Sequence, residues 1–238
     1  MLWYKAWLET RSRFLVSLIG IVILCSWMIF HWDRNALSYV KADYYYAGLS
    51  GGHSTLVVMW ILAVTLLMMG GLMREKAAGS SNFTLALPIS RVRLMIIRVG
   101  MGLLEAVTLA IVPWAAMFLT EWTFGKTHAL SQAAFHLVLL LAGGLLFFSM
   151  AFLASSVIEG EYTAPIVSFG AIIVTTIAFS GSGLRPYSPL RFMDGAEYLN
   201  HETYLLSWPI PWLQATIYVL VAALLLIVSV KVIQRREF

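Results

Sequence analysis

The residues that could perform chemistry are few, and the strongest pattern among them is a nucleotide-binding one. Gly125-Lys126-Thr127 form the end of a phosphate-binding loop pattern. Such a loop reads G-x-x-x-x-G-K-[ST], because its glycines let backbone N–H groups surround the phosphates. Thr120 occupies the position of the first glycine, so the pattern is incomplete. We therefore predict that this chain binds no nucleotide by itself.

Metal and nucleophilic chemistry has equally little support in the sequence. Histidines that share a metal from one helix stand three or four residues apart, and the chain has neither that spacing nor an H-E-x-x-H motif. Cys25 is the single cysteine, so the chain cannot form an internal disulfide. We predict no catalytic residue, no metal and no cofactor held by this chain. The histidines are His31, His53, His128, His136 and His201.

Glu105 is an acid within a strongly apolar run. An ionisable residue inside a membrane span is costly, so it marks either a structural pair or a functional site. Arg98 lies seven residues earlier, on the same helical face and about 10 Å away along the axis. Two interpretations stay open. Glu105 bonds to a neighbouring helix or to Arg98, which the sequence favours, or it handles a substrate or a proton.

Composition indicates the environment of these residues. Of the 238 residues, 60% are hydrophobic and 12% are charged, and the mean hydropathy is +0.82. A soluble domain has about 25% charged residues, so this is a membrane protein. A hydrocarbon core about 30 Å thick requires about 20 apolar residues per spanning helix. Six runs meet that requirement: 14–32, 55–73, 99–120, 133–158, 162–180 and 210–230.

The distribution of charge predicts the orientation. Most of the cations fall on one side of the six predicted helices, which the positive-inside rule assigns to the cytoplasm. Both termini and the loop 74–98 then lie in the cytoplasm, and 33–54, 121–132 and 181–209 lie outside. This placement explains the net charge of +4, so we predict no nucleic-acid partner. The cytoplasmic cations are Lys5, Arg11, Arg13, Arg74, Lys76, Arg91, Arg93, Arg98, Lys231, Arg235 and Arg236.

The N-terminal segment, residues 1–13, has an amphipathic pattern. On a helix, Thr10 and Phe14 share one face with two tryptophans, whereas the charged side chains lie elsewhere. This pattern is typical of a helix that lies in the cytoplasmic membrane interface. The alternative is a longer first spanning helix with a charged start. The residues that we assign to the interface are Trp3, Lys5, Trp7, Arg11 and Arg13.

Two loops are longer than a simple connection requires. In residues 74–93, the turn Gly79-Ser80-Ser81 precedes a short apolar stretch, 82–87, which Pro88 ends. Ser90 can then cap the following helix. The outer loop 181–209 contains several Gly and Pro residues, and its middle, 196–206, can form short amphipathic helices at the outer surface.

Residues 75–91 read EKAAGSSNFTLALPISR. They resemble the cytoplasmic loop of the membrane permeases of ABC-2 type (type V) ABC transporters, and Asn82 stands where that family usually has Glu. An N-terminal Trp/Lys-rich segment, six spans, Ser155-Ser156 and the stretch SPLRFMDG at 188–195 extend the resemblance over nearly the whole chain. The matching loop positions are Glu75, Gly79, Ser80, Leu85, Leu87, Pro88, Ile89, Ser90 and Arg91.

The resemblance implies a fold. It is a single all-α polytopic domain over residues 1–238 with six transmembrane helices. Residues 1–13 form an interfacial elbow helix, and 74–93 contain a cytoplasmic coupling helix between the second and third spanning helices. Residues 181–209 carry short external helices between the fifth and sixth.

The resemblance also implies an activity and partners. Two permease subunits, either two copies or this chain and a related permease, work with two copies of a cytoplasmic ABC ATPase that binds ATP and Mg²⁺. ATP binding pushes on the coupling loop and reorients the helices, which exports a substrate that is often amphiphilic. The chain itself is then not an enzyme, and it lies in the bacterial plasma (inner) membrane.

Two other classes of function stay open at this point. An intramembrane enzyme or lipid-modifying protein would use Glu105 and the outer-loop histidines, and it would act without any ATPase. A membrane scaffold or sensor would dock a cytoplasmic protein through the same loop without ATP-dependent transport.

Overall fold

The computed structural model of the chain describes residues 2–36, 45–68, 90–123, 130–157, 163–181, 183–198 and 210–235. Within these ranges the regular structure is entirely helical and contains no strand, as the composition predicts. The helices are α1 (Leu2–Ala36), α2 (Tyr45–Leu67), α3 (Arg91–Thr123), α4 (Leu130–Val157), α5 (Thr163–Ala178), α6 (Pro189–Asp194) and α7 (Trp212–Arg235). Two short 3₁₀ helices, Arg185–Tyr187 and Ala196–Tyr198, flank α6.

Among the described residues, three helices are long and apolar enough to cross a membrane: Val92–Ala116 within α3, all of α4 and all of α7. They coincide with the predicted spans 99–120, 133–158 and 210–230. Two shorter apolar helices, Thr55–Leu67 and Phe169–Ala178, fall within the predicted spans 55–73 and 162–180. Parts of those two spans lie outside the described residues, so the number six stays a prediction.

Helix α4 forms the centre of the bundle. Its sequence is apolar on all sides, as is typical of a helix surrounded by other helices or by lipid. Helices α2, α3, α5, α6 and α7 all pack against it. Gly143 and Gly144 make this close packing possible. A Cβ atom built on Gly143 would lie 2.5 Å from Cγ of Met193, and one built on Gly144 would overlap the ring of Trp60.

Helix α1 runs without a break from Leu2 to Ala36. The predicted elbow, 1–13, and the predicted first span, 14–32, are therefore parts of one helix among the described residues. The physical reason is local: no Gly or Pro occurs between Leu2 and Ile19, so nothing in the sequence stops the helix at residue 13. Whether these first turns lie in the interface or begin a longer spanning helix stays a prediction.

The predicted outer loop 181–209 contains α6, which covers 189–194. Of the stretch 196–206, for which the sequence predicts short helices, only Ala196–Tyr198 is described, so that part stays a prediction. Pro189 occupies the first turn of α6, where a missing N–H is tolerated, and Gly195 ends it with a φ of 74°, a conformation that favours glycine. The 3₁₀ turn Ala196–Tyr198 follows, and residues 199–209 lie outside the described part of the chain.

Candidate functional site

The most polar buried junction in the described structure lies between the start of α1 and α3. Glu105 of α3 is only 2% exposed, and its Oε1 accepts a hydrogen bond from Oγ1 of Thr10 in α1. Thr10 Oγ1 also lies 3.2 Å from the carbonyl oxygen of Ala6. The sequence left two structural partners open for Glu105, a neighbouring helix and Arg98. The hydrogen bond from Thr10 joins Glu105 to the neighbouring helix α1.

Arg98 makes its ion pair with a different acid. Its Nη2 lies 2.5 Å from Oε2 of Glu9 in α1, and the Arg98 side chain is only 18% exposed. Lys5, one helical turn before Glu9, lies 3.8 Å from Oε1 of the same carboxylate. Since both cations approach Glu9, the group is a three-residue charge cluster with one acid and two bases. Sequence reasoning missed Glu9, because 89 residues separate it from Arg98 and no local pattern connects them.

Aromatic packing reinforces the same junction. Trp7 and Phe14 of α1 meet edge to face, with ring centroids 5.4 Å apart. The ring of Trp3 covers Gly100 of α3 so closely that a Cβ atom there would lie 2.8 Å from Cη2 of the indole. The predicted face of α1, formed by Trp3, Trp7, Thr10 and Phe14, is therefore present. Two of its side chains, Trp3 and Thr10, contact α3. Two polar links and one aromatic contact hold the first turns of α1 to α3.

The coupling loop of the sequence analysis is described only at its end. Ser90 caps α3 as predicted: its Oγ accepts a hydrogen bond from the backbone N–H of Arg93 at 3.3 Å. Arg91 is the first residue of α3. The other predicted coupling residues lie outside the described residues: Glu75, Gly79, Ser80, Asn82, Leu85, Leu87 and Pro88.

The remaining predicted interfacial cations, Arg11 and Arg13, lie on α1 between Glu9 and Phe14. Arg11 is exposed and Arg13 is half-buried. Together with Lys5, Arg93 and Arg98 they make the paired starts of α1 and α3 strongly basic, and Glu9 is the acid within that group.

His136 is a packed core residue. It is fully buried in α4, its ring lies 5.3 Å from that of Trp114, and it lies near the backbone of Asp194. Within the described ranges, no three His, Cys, Asp or Glu side chains are close enough together to hold a metal. His136 therefore links α3, α4 and the end of α6.

The sequence contains one further nucleophile pattern. Gly48–Gly52 fits G-x-S-x-G, with Ser50 at the centre. In an α/β-hydrolase that serine stands on a sharp turn between a strand and a helix. Here the five residues lie inside the helix α2, so the required backbone geometry is missing.

A hydrogen-bonded cluster joins the segment 186–198 to α7. The side chain of Gln214 in α7 accepts a hydrogen bond from the Tyr198 hydroxyl at 2.9 Å, and its Nε2 donates to the carbonyl oxygen of Pro186 at 2.9 Å. The Tyr218 hydroxyl donates to the carbonyl oxygen of Tyr187 at 2.7 Å. Burial raises the pKa of Tyr198 to about 12, and the nearby charge of Glu197 adds to this effect. Tyr198 therefore keeps its donor proton at neutral pH.

In comparisons with known proteins, no family model matches this chain, and no curated protein matches it. Its own residues and geometry therefore carry the functional assignment.

Proposed function

We propose that this chain is the membrane-spanning permease subunit of an ABC exporter of the ABC-2 type. In this proposal it crosses the bacterial inner membrane six times with both termini in the cytoplasm, and it exports an amphiphilic substrate. A separate cytoplasmic ATPase, present in two copies, binds ATP and Mg²⁺ and supplies the energy. A second permease subunit, identical or related, completes the assembly, and this chain provides no catalytic residue.

The observation that carries the proposal is the junction at Ser90. In the sequence the ABC-2-like residues are followed directly by Ser90, which caps α3, so a displacement of the loop would act on the start of that helix. Helix α3 is in turn tied to α1 by the Glu9–Arg98 pair and the Thr10–Glu105 hydrogen bond. Movement of one cytoplasmic loop would therefore carry two long helices together.

The loop residues suit docking to a partner protein. The short apolar stretch 82–87, bounded by Gly79 and Pro88, would form a helix that inserts into a groove of the ATPase. Arg91, at the start of α3, would add a charged contact beside it. This coupling helix is a proposal from the sequence, because residues 69–89 lie outside the described part of the chain.

Two further parts of the chain have roles in the proposal. The first turns of α1 would act as the interfacial elbow, although they continue directly into the rest of the helix. Helix α6 and its two flanking 3₁₀ turns would be the external helices between the fifth and sixth spans.

The position of Glu105 supports a transporter over an intramembrane enzyme. A catalytic carboxyl group must reach its substrate. Glu105 is 2% exposed, and Thr10 occupies the space in front of one of its oxygens. Its contact with α1 suits a structural role between helices.

The test is co-purification of an ATPase through the loop. Tagged wild-type protein, extracted in a mild detergent, is compared with the double variant Leu87→Asp plus Arg91→Glu. We expect a protein with ATP-hydrolysing activity to co-purify with the wild type. The ATPase activity that co-purifies with the double variant should be at least tenfold lower. The two changes introduce a buried charge and reverse a contact charge, each of which costs about 2 kcal/mol or more at an interface.

A matched control makes the same chemical changes at the opposite end of the molecule. Leu184 and Arg185 are adjacent and exposed in the outer loop, so Leu184→Asp plus Arg185→Glu alters an equal number of charges without touching the cytoplasmic loop. This control should retain the ATPase in full. Absence of any ATPase from the wild type, or equal loss in both double variants, would refute the proposed function.

A further inference from the structure

Glu105 lies near the middle of the part of α3 that is long and apolar enough to cross a membrane. It is about 20 Å along the helix axis from Val92, where that part begins. Leu104 and Val107, at the same level, form an exposed apolar face of α3 that suits contact with lipid. The carboxyl group itself is buried, and Thr10 of α1 lies against it. Neither side of α3 therefore brings this carboxyl group into contact with water.

A single hydrogen bond reaches the carboxyl group of Glu105 in the described structure. Oε1 accepts it from the Thr10 hydroxyl, whereas Oε2 is buried and has no hydrogen-bond partner. An ionised carboxylate has about four positions at which it can accept a hydrogen bond. Both ion pairs described at this junction are made by Glu9, with Lys5 and Arg98. A negative charge on Glu105 would therefore be stabilised by one hydrogen bond alone.

The helices that pack against α3 are α1, α2, α4 and α7. Residues 55–68 of α2 contain no ionisable side chain. His136 of α4 lies beside Trp114, about 13 Å farther along α3 than Glu105. None of the described charged side chains on these helices forms an ion pair with Glu105. Those side chains are Lys5, Glu9, Arg11 and Arg13 of α1 and Lys231 and Arg235 of α7.

The two charge states of Glu105 differ in what they leave without a partner. An ionised carboxylate removed from water, with one hydrogen bond and no cation, is far more costly than a neutral polar group in the same place. A neutral carboxylic acid leaves only one hydroxyl group without an acceptor. Its Oε1 still accepts the hydrogen bond from Thr10, so the contact between α1 and α3 is kept.

We propose that Glu105 is a proton-binding site, at which Oε2 carries the proton and the folded chain holds the side chain as a neutral carboxylic acid. Release of this proton would leave a buried negative charge between α1 and α3 and weaken their contact. Glu105 thereby makes the link between these two helices depend on a bound proton. This inference is independent of the transport function, since it requires only that the chain lies in a membrane.

The test is infrared spectroscopy of the purified full chain in one detergent at neutral pH. A protonated carboxyl group absorbs as a carbonyl band that is separate from the carboxylate bands. Glu105→Gln should remove one such carbonyl band from the spectrum of the wild type. Thr10→Val should keep this band and shift it to higher frequency, because Oε1 then loses its hydrogen bond. The second variant tests the proposal even if the first fails to fold.

Glu9→Gln provides the matched control, since it makes the same chemical change at the same junction. Glu9 is ion-paired, so this variant should lose carboxylate absorption and keep the carbonyl band. It should also lower the melting temperature by about 2–8 °C, whereas Glu105→Gln should not lower it, because an amide also has a neutral oxygen that accepts from Thr10. Loss of carboxylate absorption in Glu105→Gln, absence of the band shift in Thr10→Val, or an equal fall in melting temperature in both glutamate variants would overturn the proposal.

Discussion

The close contact between Trp60 and Gly144 allows a quantitative prediction for Gly144→Ala. Trp60 is 1% exposed, and a Cβ atom on Gly144 would lie 2.6 Å from Cη2 of its ring, where ordinary contacts are 3.4 Å or more. The ring cannot shift freely, because Nε1 of Trp60 donates to the carbonyl oxygen of Ala106 at 3.2 Å. The added methyl group must therefore strain the packing and also displace the ring from that hydrogen bond.

The expected loss follows from three contributions. Overpacking a core costs about 1–3 kcal/mol, and a buried donor left without its partner costs about 1–3 kcal/mol. Alanine gains up to about 1 kcal/mol over glycine in a helix. The net destabilisation is about 3 kcal/mol, which corresponds to a fall in melting temperature of roughly 6–12 °C for a chain of this size. Thermal unfolding in one detergent, followed by circular dichroism, measures it.

Two glycines without close neighbours serve as controls. A Cβ atom on Gly20 of α1 or on Gly170 of α5 would meet nothing within 4 Å. Gly20→Ala and Gly170→Ala should therefore raise stability by about 0.5–1 kcal/mol. In addition, Trp60→Phe should relieve part of the strain, so its effect and that of Gly144→Ala should not be additive. Equal stability of Gly144→Ala and Gly170→Ala, or strict additivity with Trp60→Phe, would show that the reasoning is wrong.

Four smaller predictions concern the two polar junctions. Glu9→Gln should destabilise the protein by about 1–2 kcal/mol, because the Glu9–Arg98 ion pair is only partly exposed. In a double-mutant cycle, the effects of Glu9→Gln and Arg98→Gln on stability should not be additive. Ser90→Ala should cost about 1 kcal/mol through loss of the cap, whereas Ser90→Asp should retain stability in the same unfolding assay. Gln214→Leu removes the bonds that hold the outer loop, so hydrogen exchange in 185–198 should become at least tenfold faster while exchange in α3 is unchanged. Since the folded pKa of Tyr198 is about 12 against about 10 unfolded, stability should fall as pH rises from about 10 to 12, and Tyr198→Phe should reduce that fall.

The parts of the fold that the sequence predicted well depend on local patterns. The apolar runs at 133–158 and 210–230 predicted α4 and α7, because length and hydropathy alone define a membrane helix. Ser90 was also predictable as a cap, since capping needs only a hydroxyl one position before the helix. The continuity of α1 across residue 13 was harder to predict. The residues change from charged to apolar at Phe14, but this change does not interrupt the helical backbone.

The parts that the sequence could not predict depend on contacts between distant residues. Gly143 and Gly144 permit close approach of helices, but nothing in the sequence identifies Met193 and Trp60 as the side chains that use the space. Glu9 gave no signal either, because an acid among basic residues near a membrane surface resembles an ordinary solvated charge. Its partner in α3 becomes visible only when the two helices are side by side.

The contact between Trp60 and Gly144 also has a consequence for biosynthesis. The helix that accommodates the indole is translated roughly 80 residues after Trp60, which takes roughly 4–16 s at about 5–20 residues per second. During that interval the indole of Trp60 has no partner from α4, although α3, which carries its hydrogen-bond acceptor Ala106, is already synthesised. The second helix therefore completes its packing only after the fourth has been made, so the Trp60–Gly144 contact belongs to a late step in the assembly of the bundle.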